Sequence, residues 1–152
     1  MVDPKNIHAY VMGEHGDSEF SPISQMLLGT KRISELLEDK CNGYCTEDLK
    51  KIEEQVRTAA YKIIEAKNAT YYGIGMAITR IVKAILGDEN SVLTVSAKLC
   101  GEYGCKNVFA GVPCIIGRNG VKEVIELSLT DEELDSFRNS VDILDKSFEG
   151  VI

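Results

Sequence analysis

Val92-Leu93-Thr94-Val95-Ser96-Ala97, Val108-Phe109-Ala110-Gly111-Val112 and Cys114-Ile115-Ile116 alternate or run apolar as strands do. Asn119-Gly120 then offers the two residues that tolerate positive φ in a type I′ hairpin, and leads into a further extended run over 121–127. This spacing predicts an antiparallel meander. Directly after it, Thr130 and Glu133 stand at capping-box separation, and Leu134, Phe137, Val141, Leu144 and Phe148 recur at helical steps. Upstream, Thr46 reads as an N-cap with Glu47 and Asp48 in the first turn, where the helix dipole favours anions. Leu49, Ile52, Val56, Ala59, Ala60 and Ile63 mark one packing face, and Lys67 and Asn68 end that helix. A second helix over 70–86 carries Ile74, Ile78, Ile81 and Ile85 on one stripe with little charge elsewhere. It is therefore expected to be the more deeply buried of the two, with Gly87-Asp88 closing it. Residues 7–12 are β-prone and read as a short strand, whereas 20–40 look irregular. This order is that of an α+β fold, long helices packed on an antiparallel sheet, rather than a doubly wound sheet with βαβ alternation.

The composition bounds the partners. A chain of 152 residues with 44% apolar and 27% charged residues suits a single domain over 1–152. Surface scaling gives it about 7,600 Å² of folded surface, with about two-thirds of the unfolded area buried. A formal net charge of −7 without a basic stripe makes nucleic acid an unexpected partner. No apolar run approaches the ~20 residues of a membrane span, and Met1-Val2-Asp3-Pro4-Lys5 starts no export signal, so a cytoplasmic location is expected. The five cysteines, Cys41, Cys45, Cys100, Cys105 and Cys114, are an odd number suited to a reducing compartment. Cys41/Cys45 and Cys100/Cys105 fall loosely within zinc-ribbon spacing, but Asn42, Gly43 and Tyr44 carry no knuckle signature, and no metal site is expected.

Few motifs carry chemistry. Gly73-Ile74-Gly75 is the one G-x-G, Ile78 occupies the third glycine position, and the run lies within a predicted helix. Close helix packing explains it better than a phosphate cradle. The two histidines, His8 in the predicted strand and His15 beyond its end, need not converge on a metal. His15 is the acid/base candidate. Gly13 and Gly16 on either side allow unusual backbone angles and close ligand approach, and an imidazole exchanges a proton near neutrality. Glu14 and Asp17 fit equally an ordinary surface turn.

The run Asp3-Pro4-Lys5-Asn6-Ile7-His8-Ala9-Tyr10-Val11-Met12-Gly13-Glu14-His15-Gly16-Asp17-Ser18-Glu19 closely resembles the active-site segment of bacterial NAD-dependent L-lactate dehydrogenases. The resemblance continues through Ala59-Ala60-Tyr61, Ala69-Thr70-Tyr71-Tyr72-Gly73-Ile74-Gly75, Leu93-Thr94-Val95-Ser96, Gly111-Val112-Pro113 and Arg118-Asn119-Gly120. It covers the C-terminal half of such an enzyme, the substrate domain of the lactate/malate dehydrogenase family. The resemblance implies that His15 donates and accepts the proton as pyruvate and L-lactate interconvert with NADH and NAD. It also implies that Thr70 lines the substrate pocket and that Ile74 packs against the nicotinamide ring. His8 matches the histidine that, in members activated by fructose 1,6-bisphosphate, binds effector phosphate together with an arginine from the other half. Full-length members are homotetramers.

The nucleotide-binding Rossmann half is not within these 152 residues. With it are absent the aspartate that orients the histidine and the two arginines that clamp and polarise the substrate; Asp17 is no substitute for that aspartate. The chain alone is therefore expected to lack useful turnover, and to expose apolar surface that favours self-association. Two alternatives stand beside this reading, a malate dehydrogenase domain and a non-catalytic folding or assembly module. Ala69-Thr70-Tyr71-Tyr72 and His8 favour the lactate enzyme over the malate one.

Overall fold

The computed structural model describes residues 2–38 and 45–149. Along the chain run β1 (Ile7–His8), β2 (Leu27–Leu28), β3 (Lys31–Arg32), α1 (Ile33–Glu38), α2 (Thr46–Lys67) and α3 (Tyr72–Leu86). They are followed by β4 (Ser91–Cys100), β5 (Lys106–Gly117), β6 (Gly120–Val124) and α4 (Asp131–Glu149). Two antiparallel three-stranded sheets result, a small one ordered β1-β2-β3 and the meander β4-β5-β6. The α+β class holds.

Alternation along the meander sets its core. Val95 pairs with Val112 and Ala97 with Ala110, so these residues share one face with Leu99, Val108, Cys114 and Ile116. That face is buried against Phe137 and Val141 of α4 and Ala84 of α3. Phe137 is fully buried. Its ring lies 4.6 Å from that of Tyr103 in the β4–β5 connection and 6.4 Å, edge-on, from that of Phe20. Tyr103 in turn accepts the Leu127 N–H at 2.9 Å and donates to the Ile125 carbonyl at 3.3 Å. The capping box forms as expected: Glu133 accepts from the Thr130 N–H at 3.0 Å, and Thr130 Oγ1 from the Glu133 N–H at 3.3 Å.

Several local expectations are corrected. Val108–Val112 and Cys114–Ile116 are one strand, because Pro113 turns its main-chain polar groups away from β4 and toward Ile125, just past the end of β6. Its missing N–H therefore takes no bond from the β4 ladder, and the Ile125 carbonyl accepts from Tyr103 instead. The hairpin is not type I′. Arg118 and Asn119 stay outside the left-handed region and only Gly120, paired with Gly117, enters it (φ 93°); the register slips further along, where Ile116 faces Val121 and Ile115 faces Glu123. The strand expected over 7–12 pairs as a strand only at Ile7–His8, and the stretch 20–40 contains β2, β3 and α1 within its described part. Cys45, not Thr46, caps α2; the Asp48 carboxylate accepts from the Cys45 N–H at 3.1 Å and sits 3.3 Å from its thiol.

The larger correction concerns the two long helices. No α2 side chain is buried, and on α3 only Ala84 is, while Met76 and Leu86 are 72% and 76% exposed. The apolar stripes are present, but no other described element covers that of α2, and on α3 the C-terminal end alone, at Ala84 and Ile85, packs against the core. Accordingly the accessible surface is 10535 Å², against the about 7,600 Å² of a compact monomer of this length. No described helix is long and apolar enough to cross a membrane.

Candidate functional site

The G-E-H-G-D-S run forms a loop closed at its base by backbone pairing. Met12 and Phe20 exchange N–H···O bonds of 2.9 and 3.2 Å, and Gly13 and Gly111 do so at 2.9 and 2.7 Å, which ties the loop to β5. Gly13 adopts φ 95°, and a Cβ there would stand 2.9 Å from Ser140 Cβ, so this position needs glycine for both reasons. Ser140 Oγ on α4 accepts the Glu14 N–H at 2.7 Å and lies 2.9 Å from Ser18 Oγ, whose proton goes to the Glu14 carboxylate. On the other side Tyr61 of α2 donates to Asp17 at 2.6 Å. That bond holds the Tyr61 phenol above its ordinary pKa. Three elements thus grip one short loop.

His15 sits at the tip with its side chain wholly exposed (101%). Nδ1 faces Glu19 Oε2 at 3.7 Å, and Nε2 is left for a ligand. Asp17 is engaged with Tyr61 rather than with the imidazole. An exposed imidazole on a backbone tied to β5 and α4 can give a proton to an arriving oxygen or take one from it.

Thr70 was expected inside the second helix; it lies instead in the connection before α3, half-buried, ahead of Tyr71 at the N-cap. The connection is held by Asn68 in the left-handed conformation (φ 62°) and by Lys67 Nζ, 4.3 and 4.7 Å from the ring centres of Tyr71 and Tyr72. Ile74 follows in the first turn of α3, 50% exposed. His8 is exposed on the small sheet opposite Leu27, apart from these groups. Among the described residues neither Thr70 nor His8 makes a side-chain hydrogen bond, and no bond or ion pair links His15 to Thr70, Ile74 or His8.

A cleft of about 550 Å³ beside the loop is lined by Glu14, Asp17, Ser18, Arg57 and Asn139 among others, but not by His15. A second, apolar groove runs along α3 past Ile78, Val82 and Leu86. Among the described residues no group of three or more His, Cys, Asp or Glu could hold a metal. Cys41 lies outside the described residues, and burial pushes the Cys105 and Cys114 thiols up. The sequence reading missed Ser140, Ser18 and Tyr61. For Ser140 the signal existed: a serine interrupting the apolar face Phe137, Val141, Leu144 has to find a partner off its own helix.

The model of the lactate/malate dehydrogenase α/β C-terminal domain matches residues 1–152. L-lactate dehydrogenase 2 of Bacillus cereus is 51% identical over 151 residues, which are 99% of this chain and 48% of that protein. L-lactate dehydrogenase 1 of the same species is 52% identical over the same share. Among solved structures, the minor L-lactate dehydrogenase of Enterococcus mundtii in its ligands-bound form superposes with a TM-score of 0.94 at 48% identity, over 99% of this chain and 48% of that one. Lactate dehydrogenase from Eimeria maxima with NADH and oxamate gives 0.91 at 26% identity, over 99% and 47%. The chain spans about half the length of the curated relatives it matches.

Proposed function

The chain belongs to the lactate/malate dehydrogenase family as its α/β C-terminal domain, and from that premise we propose that it is the substrate half of an NAD-dependent L-lactate dehydrogenase, interconverting pyruvate and L-lactate. The observation that carries this reading is His15, a fully exposed imidazole on a loop whose backbone is bonded to β5 and α4. His15 Nε2 gives its proton to the carbonyl oxygen of pyruvate, and takes it back from the hydroxyl of lactate in the reverse direction. The half-buried Thr70 hydroxyl, without a described partner of its own, bonds the substrate. The residues of α3 suit a nicotinamide ring, since Ile74 offers a half-exposed apolar surface and no charged side chain occurs before Arg80. When bound, NADH supplies the hydride that reaches C2 of pyruvate; Ile74 excludes water from that ring face.

The 152 residues act as a single folding unit, and the working enzyme is a cytoplasmic homotetramer. His8 takes part in binding a phosphate of fructose 1,6-bisphosphate as an activator. The purified chain mixed with pyruvate and NADH is expected to leave nicotinamide absorbance unchanged. Adding a separately produced nucleotide-binding half of the Bacillus cereus relative should start turnover, and His15→Asn should abolish it. A complex that forms and stays silent, or one in which His15→Asn is fully active, overturns the proposal.

A further inference from the structure

We propose that Ser140 is a positioning residue for His15: one hydroxyl on α4 fixes the backbone that carries the imidazole and orients the Glu14–Ser18 pair beside it. This rests on the reading of His15 as the acid/base group.

Other serines on α4 return their protons to their own helix, Ser136 to the Glu132 carbonyl at 2.9 Å and Ser147 to the Ile143 carbonyl at 2.8 Å. Ser140 does not. It is fully buried on the apolar face, where an unbonded hydroxyl would be costly, and both its bonds go to the loop. Counting protons gives those bonds a direction. Ser18 has one hydroxyl proton and donates it to the Glu14 carboxylate. The proton between the two serines therefore belongs to Ser140, which donates to Ser18 Oγ while accepting the Glu14 N–H. Neither serine has a second proton to give, so the ring Ser140 to Ser18 to Glu14 carboxylate, closed through the Glu14 N–H, has one arrangement while Glu14 is ionised. Its anchor point is the residue immediately before His15. Gly13, one residue earlier, is locked to Gly111, so two successive residues are fixed to two different elements. A shift of α4 or loss of the hydroxyl would release Glu14 and move His15 without touching its ring.

Amide hydrogen exchange of the 152-residue chain, followed by NMR, tests the link. Ser140→Ala is expected to speed exchange at Glu14 about tenfold, the loss of one buried hydrogen bond, while Val112 in β5 changes little. Unchanged exchange at Glu14, or equal acceleration at Glu14 and Val112, overturns the proposal, the latter because Ser140 would then only support the fold. Ser140→Cys, close in size with a weaker acceptor, covers the case of an alanine variant that does not fold: it should speed exchange at Glu14 about threefold, and no change there overturns the link. In the two-part assembly described above, Ser140→Ala is expected to lower kcat about tenfold with KM within about twofold. A rise in KM with kcat unchanged overturns the positioning role. A wild-type assembly that forms without turnover counts against the dehydrogenase reading alone, and the exchange measurement still decides the Ser140 link.

Discussion

The meander with α4 and the pair α2–α3 carry equally clear apolar periodicity, yet their fates are opposite. Leu99, Val112 and Phe137 are fully buried, whereas Ile52, Ile78 and Leu86 are more than half exposed. The stripe on a helix is a statement about what it can pack against, not about whether that surface is supplied by the same residues. Where the cover is local, as β5 is for α4, periodicity predicts burial; on α2 and most of α3 no described element provides one.

Four substitutions probe this contrast by urea denaturation. Phe137→Ala should cost about 3–5 kcal/mol, since it empties a site in contact with both Tyr103 and Phe20. Gly13→Ala comes next at about 1–3 kcal/mol, for its left-handed φ and the approach of Ser140. Thr130→Ala removes the α4 cap and should cost about 1 kcal/mol. Ile78→Ala on the uncovered stripe should change stability by less than about 0.5 kcal/mol. If Ile78→Ala rivalled Phe137→Ala, α3 would have to be covered in solution and the contrast would fail.

Acid adds a finer test on the α4 side. Burial, the strongest single influence, raises the Glu133 carboxyl, but hydrogen bonds from the Ser24 hydroxyl and amide and from Thr130 outweigh it and hold the group below its ordinary value. A carboxyl lowered in the folded state contributes stability at neutral pH. That contribution fades as pH falls from the ordinary glutamate value of about 4.3 through the lower folded one. Unfolding followed against pH should show a flatter acid limb in Glu133→Gln than in the wild type.

The contrast also explains what could be read in advance. The meander strands, the α4 capping box and the Asn68 helix stop were legible because each is decided by neighbours a few residues away, whereas the two-residue strands of the small sheet carry too few residues to show a period. The burial of α3 was not, since its isoleucine stripe reads alike on a covered and an uncovered helix. The type I′ turn failed because Asn-Gly also suits a turn in which glycine alone goes left-handed. At the site, His15 was singled out by its glycines and its chemistry. Its supports were harder to see: Ser140 and Gly111 lie about a hundred or more positions away and meet the loop only once the meander and α4 have packed.

Under the proposed role of His15, the reciprocal Gly13–Gly111 pairing bears on the entropy of substrate capture. Fixing a residue's backbone costs about 1–2 kcal/mol, so a floppy loop would lose several such increments whenever a ligand ordered it. Here the backbone on the N-terminal side of His15 is already ordered by folding, and the wholly exposed imidazole retains freedom in its side-chain torsions. A ligand arriving at Nε2 has little more than those torsions to still, and the binding energy otherwise spent on arranging the chain remains for the substrate.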